Sequence, residues 1–319
     1  MLHIHGGDVV LERLARAGIT GERLAWREVL CDGPTPHCDS RQEWRRVRSE
    51  FLSRVYHAES SGADLLLEQE AVLERALTEQ DEIVHWFSSD WFCQAILLSL
   101  LDFLHQHPRR RARLSLVAPV GWTDVPENLG CTLAFVPEAE LPGLLAWRRE
   151  LTPASLHLGS TIWDAVCAAD PREVAALAGQ DLAEPSLPLL NEGLRIHLCE
   201  LPSTTNGLGF SEERALAALT DAPQKLNTAY HSFQRGEGRP WITDLMFAAR
   251  LHGLNGVPTP LVEWSADGQT VRRTALGGEV LAGRRDWCTL TQMDRWVGGV
   301  HLTRDNLWRI DRGSLTLSR

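Results

Sequence analysis

The sequence predicts an α/β protein in three parts. Residues 1–150 read as a Rossmann-like domain with a parallel sheet, 151–205 as a helical bridge and linker, and 206–319 as a winged-helix-like α+β domain. Two patterns carry this reading. Short strand-like runs alternate with helical patterns through the first 150 residues, the mark of a parallel sheet built from βαβ units. After residue 206, three helical segments lead into a β-hairpin turned at Asp267-Gly268, which is a winged-helix order.

Leu2 to His5 reads as the first strand, and Gly6-Gly7-Asp8 turns it into a helix ending near Ala17. Arg23 to Val29 reads as a second strand, followed by the turn Asp32-Gly33-Pro34. Helical patterns cover about Arg41 to Val55 and Ala63 to Leu77. Glu82 to Phe87, Leu114 to Val120 and Thr132 to Val136 complete the expected strands. Between the third and fourth strands, Trp91 to Leu104 is apolar on every side, so this helix belongs at the centre of the domain. Gln94 in its first turn therefore needs a partner, either backbone or ligand. Thr152-Pro153 and Asp170-Pro171 each pair an N-cap with proline at the first helical position. Leu201 to Gly209 has the composition of a linker. Helices are expected over about Ser211–Leu219, Leu226–Phe233 and Ile242–Leu251. A short helix should close the wing over Thr274 to Gly283, and a last strand pair, Gly299–Leu302 with Leu307–Asp311, should meet at Asp305-Asn306.

Composition narrows the function classes. No run approaches the ~20 apolar residues that span a bilayer, and no basic segment followed by an apolar core opens the chain, so a cytoplasmic protein with no membrane partner is expected. Seven cysteines lie scattered without a C-x-x-C pair, which argues against a disulfide frame. Lys225 is the one lysine beside 31 arginines, so a P-loop lysine is excluded. Residues 206–319 hold 14 basic and 12 acidic residues, a net charge of only +2 within a chain of −10. That is too small an excess for strong non-specific nucleic-acid binding. The expected third helix of this region offers donors only at Arg250 and His252, which leaves a nucleic-acid partner weakly supported.

Ligands of open α/β sheets sit at the carboxyl ends of strands. Gly6, Gly7 and Asp8 follow the first strand, Arg27, Asp32 and Gly33 the second, and Asp90 and Gln94 the third. These eight residues are the candidate ligand-binding set. The glycines let backbone N–H groups approach an anion, Arg27 pairs it, Asp8 and Asp90 fix polar groups, and Gln94 orients the ligand. Each has a structural alternative, because Asp8 and Asp90 are also good helix caps. His3 and His5 share one strand face and could ligate a metal with Asp8, Asp32, His37 or Asp90; Cys31, Cys38 and His37 form a second loose grouping. No G-x-S-x-G elbow occurs, and Gly207-Leu208-Gly209 lacks the rest of a dinucleotide fingerprint. No cofactor and no catalytic residue is named by the sequence.

Several strings resemble the bacterial domain-of-unknown-function family 1835. They are Leu2-His3-Ile4 leading to Gly7-Asp8, Trp26-Arg27-Glu28-Val29-Leu30 with Asp32-Gly33-Pro34, and Trp86-Phe87 with Asp90 and Gln94. Pro202-Ser203-Thr204 with Asn206-Gly207-Leu208, and Asp294 to Leu302, extend the resemblance over nearly the whole chain. Gly6-Gly7-Asp8 stands where the family commonly has Asn-Gly-Asp, and Ser88-Ser89-Asp90 where it often has Glu-His-Asp. The resemblance implies the two-domain architecture and the strand-end pocket, and no activity. The resulting expectation is binding, with or without turnover, of a small anionic or nucleotide-like ligand. The alternatives are a regulator acting through its winged helix on nucleic acid or a protein partner, and a metal-dependent hydrolase.

Overall fold

Leu2–His5 (β1) is buried at all four positions because it lies inside a sheet, between Glu22–Ala25 (β2) and Glu82–Trp86 (β4). The computed structural model describes residues 1–57, 62–88, 90–118, 133–134, 136–182, 184, 186–187, 190–237, 242–256 and 259–319. Two-residue Gly33–Pro34 (β3) lies outside this sheet, and Arg113–Val117 (β5) and Arg149–Glu150 (β6) complete it in the order β2-β1-β4-β5-β6. The first four strands run parallel and β6 runs antiparallel, with Ile4 opposite Leu24 on one side and His85 on the other. Chain order thus reverses at β1, whose neighbours β2 and β4 come later in the sequence. The carboxyl ends of β1 and β4 flank the topological switch point, where open α/β sheets hold ligands.

The helices of this unit are Asp8–Arg16 (α1), Arg41–Tyr56 (α2), Gly62–Glu79 (α3), Trp91–His105 (α4), Leu141–Ala146 (α5), Pro153–Cys167 (α6) and Pro171–Ala178 (α7). As its all-round apolarity predicts, α4 is buried at twelve of its positions. It packs against α6 with Gly159 over Leu101, so closely that a Cβ there would stand 2.5 Å from the leucine. Thr152 and Asp170 cap α6 and α7, each with proline at the first helical position.

Several boundaries differ from expectation. β2 stops at Ala25, because Arg27 N–H turns back to the Ala25 carbonyl and Glu28 N–H to that of Trp26. Of the expected fifth strand, Thr132 and Phe135 lie outside the described residues, while Leu133, Ala134 and Val136 lie in turns and bends. The antiparallel strand of the sheet is β6, too short to leave a periodic signal.

Contacts divide the chain into two compact units, Met1–Leu194 and Arg195–Arg319, with the division inside Leu190–Cys199 (α8). The helices expected as a bridge, α6 and α7, therefore belong to the first unit. Leu201–Gly209 is not a linker but packed structure of the second unit. Leu201, Ser203, Asn206 and Leu208 are buried, Ser203 N–H bonds the Leu208 carbonyl, and Arg309 and Arg312 donate to the carbonyls of Ser203 and Leu208.

The second unit continues with Phe210–Ala217 (α9), Gln224–Lys225 (β7), Leu226–Glu237 (α10), Asp244–Leu254 (α11), Val262–Trp264 (β8), Thr270–Arg273 (β9) and Ala275–Leu281 (α12). The strands form an antiparallel sheet of order β7-β9-β8, and Gly268 turns the hairpin with φ +68°. Trp287–Leu290 (α13) precedes Asp294–Gly298 (β10) and Val300–Thr303 (β11), which pair antiparallel about Gly298 at φ +60°. Arg309–Asp311 (β12) pairs instead with Thr316–Ser318 (β13). The pairing expected across Asp305-Asn306 does not form, because each strand has a nearer hairpin partner.

Candidate functional site

The α1 N-terminus is the first element of the site. Gly7 is its N-cap, in extended conformation and without a side chain to cap the helix. Asp8 is already the first helical residue, so it does not cap α1 as the sequence suggested it could. Its carboxylate instead receives two hydrogen bonds from Arg27, at 3.0 Å from Nε and 2.7 Å from Nη2. This contact holds the Asp8 carboxyl below its usual range. Both side chains are about half exposed, at 52% each. Arg27 sits beyond the end of β2, so strand alternation does not choose its side.

Gln69 supports Arg27 from behind. Its Oε1 accepts the Arg27 backbone N–H at 2.6 Å, sharing it with the Ala25 carbonyl. The Gln69 side chain is buried, and its Nε2 has no hydrogen-bond partner among the described residues. Such a group costs about 1–3 kcal/mol if it stays unpaired. Sequence reasoning missed Gln69, although its spacing marked it: it interrupts the apolar stripe of α3 between Leu65 and Val72.

Beside this cluster runs a groove of about 460 Å³, within the usual range for small-molecule sites. One wall is the α1 stripe Asp8, Leu11, Glu12 and Ala15. The other is the α3 stripe Leu65, Glu68, Gln69 and Val72, and β2 with Arg27 lies between them. Each stripe has i, i+3, i+4, i+7 spacing, which places its members on one helix face.

Asp90 and Gln94 do not line this groove. Asp90 caps α4 by accepting the Cys93 N–H at 3.0 Å, and burial raises its pKa while that cap opposes the shift. Gln94 Nε2 donates to the Ser88 carbonyl at 2.7 Å, which is the backbone partner its burial required. Gly6 lets the end of β1 meet α4, since a Cβ there would stand 2.9 Å from Ile96. Ser89 lies outside the described residues. The Asp32-Gly33 turn is clasped from within: Asp32 accepts from the Gly33 N–H and the Tyr56 hydroxyl, and Arg48 donates to the Asp32 carbonyl. Gly33 has φ +73°, and the Phe51 ring fills the place a Cβ would take, so only glycine fits.

The histidines are engaged within the fold. His3 Nδ1 accepts the Trp86 indole N–H and its Nε2 meets the Thr20 carbonyl, so neither nitrogen is spare. His5 Nδ1 accepts the Gly7 N–H at 3.0 Å, and burial lowers its pKa to about 4, so the ring is neutral at pH 7. His37 pairs with Asp164 at 2.9 Å in a separate cleft of about 660 Å³ that also includes Cys38. Among the described residues no three His, Cys, Asp or Glu side chains are grouped to hold a metal ion. No family model matches the chain, and no curated protein matches it.

Proposed function

We propose that the first unit binds a small anionic or nucleotide-like molecule at the strand ends of its parallel sheet, with Arg27 as the cation that meets the anionic group. One observation carries this: Asp8, the first residue of the α1 helix that has no side-chain cap, and Arg27, joined to it by a bidentate pair, both line a 460 Å³ groove. A helix N-terminus favours negative charge, and Asp8 fixes the guanidinium plane while leaving Nη1 for a ligand. The resemblance to domain-of-unknown-function family 1835 supports the same pocket address. Asp90 and Gln94 would then act through the α4 N-terminus rather than by touching the ligand. Titrating the protein with inorganic phosphate, acetate and adenosine monophosphate, while following the Arg27 side-chain resonances, tests the reading. At least one anion should shift them and the Gln69 side-chain amide saturably in the wild type, and the Gln69 response should vanish in Arg27→Ala. Silence toward all three would sink it.

A second reading concerns the second unit. The order α9, β7, α10, α11, β8, β9 with sheet order β7-β9-β8 supports a winged-helix-like domain. Its α11 exposes Asp244 and Leu245, the latter at 66%, while Arg250 is drawn inward to the Ser211 hydroxyl. An acidic and apolar helix face favours a protein partner over phosphate. Sub-micromolar binding of duplex DNA by the whole protein at ~150 mM salt would reverse that preference.

A further inference from the structure

Among the described residues β2 is the terminal strand of its sheet, bonded to β1 on one side only. The ladder fixes which groups face outward. Glu22 and Trp26 donate their N–H groups to Met1 and His5 of the β1 segment, so by strand alternation the N–H groups of Arg23 and Ala25 point away from β1, into the groove. No described residue accepts either of them, and β2 has no second strand partner among the described residues. Open strand edges are templates for another chain, and many are blunted by charge or covered by a loop. Here Arg23, Leu24 and Ala25 line a groove between α1 and α3, with Arg23 exposed and Leu24 and Ala25 buried in its depth.

Gln69 indicates what fits there. Its primary amide stands in for a peptide group, with Oε1 on the Arg27 N–H and the buried Nε2 left without an acceptor among the described residues. A neighbouring strand ending at this point would supply that acceptor. Arg27 stands at the same end, with Nη1 uncommitted to any described residue, and so favours a negative terminus. We propose that the groove takes an extended polypeptide segment with a free C-terminal carboxylate, added as a parallel strand to β2 with the carboxylate at Arg27 and Gln69. This rests on the anion-binding reading above and names its ligand class. The direction follows from the cation, because a chain ending at Arg27 must run alongside β2 in the same sense. Four residues of β2 span about 13 Å at ~3.3 Å per residue, so about four residues of the segment are held. Glu12 and Glu68, both exposed, line opposite walls and favour basic over acidic side chains on that segment. Backbone hydrogen bonds give such additions their affinity and side-chain pockets their selectivity.

The test uses the full chain and two pools of N-acetylated hexapeptides, randomised over apolar and basic residues, one with free C-terminal acids and one with C-terminal amides. Amide exchange at Arg23 and Ala25 is read by NMR with each pool, and with acetate and phosphate alone. The free-acid pool should slow exchange at both amides at least tenfold and the amidated pool should do so at least tenfold less. Arg27→Ala should erase the difference between pools. If the small anions still shift Arg27 but neither pool protects Arg23 and Ala25, strand addition is overturned and anion binding stands. Equal protection by both pools overturns carboxylate capture. If neither anions nor peptides act, both readings fall.

Discussion

Arg48 and Arg27 are both charged residues of the first unit, yet they meet opposite fates. Arg48 is fully buried and donates to both oxygens of Glu28 and to the backbone carbonyls of Val29, Asp32 and Pro34. It thereby holds the segment that follows Arg27. Removing one partner of a buried pair leaves an uncompensated charge, so Arg48→Ala should lose about 3–5 kcal/mol of stability. Urea denaturation checks this, and a loss under about 1 kcal/mol, the scale of an exposed pair, would refute it. Arg27→Ala should change stability by no more than about 1 kcal/mol, since its ion pair is half exposed, while abolishing the anion response. The two outcomes separate a structural arginine from a binding one. Arg48 lay hidden in the run Arg45-Arg46-Val47-Arg48, which reads as a solvated face. Its i+4 spacing from Trp44 and i−3 spacing from Phe51 was the legible clue.

The α4 and α6 pair shows how much of an element is written in its own residues. The all-round apolar pattern of α4 marked it as buried, and Thr152-Pro153 marked the start of α6. What no periodicity revealed is that they touch through Gly159, which brings the backbone of α6 onto Leu101. Gly159→Ala should therefore destabilise the first unit by about 1–3 kcal/mol through overpacking, although alanine is the better helix former. An unchanged or raised melting temperature would contradict the close contact. Asp90→Ala should cost roughly 1 kcal/mol by uncapping α4. The strands that were legible, β1, β4 and β5, lie inside the sheet, where both faces demand apolar residues; the end expected for β5, Pro119 and Val120, lies outside the described residues. β2 was overextended because Trp26 to Val29 keeps strand-like composition after its backbone has turned away. The Leu201–Gly209 segment was misread because polar turn residues look alike whether they are solvated or bonded to half-buried arginines.

At the scale of the molecule, the two units differ in how many neutral imidazoles they bury. Among the described residues the first holds His3, His5 and His85, all with pKa lowered chiefly by desolvation, the last two to about 4. The second holds His197, also near 4. A base whose folded pKa lies below its unfolded value stabilises the fold only while it is neutral. That contribution is complete above the unfolded value near 6.5 and is lost as pH falls toward 4. At pH 5 each histidine held near 4 costs on the order of 2 kcal/mol. Carboxyls with raised pKa act in the opposite sense, gaining stability on acidification: Asp90 in the first unit and Glu200 in the second, each shifted mainly by burial. Among the described residues the imbalance is therefore three histidines against one carboxyl in the first unit, and one against one in the second. Lowering the pH from 7 to 5 should shift the urea midpoint of the first unit more than that of the second. Hydrogen-exchange mass spectrometry along the urea series, read over 82–104 and 244–254, follows the units separately. His85→Asn should shrink the pH response of the first unit, because the Asn amide can keep the bond to the Ser115 carbonyl without titrating. Equal shifts in the two units, or an unaltered response in His85→Asn, would show that these buried imidazoles do not govern acid stability.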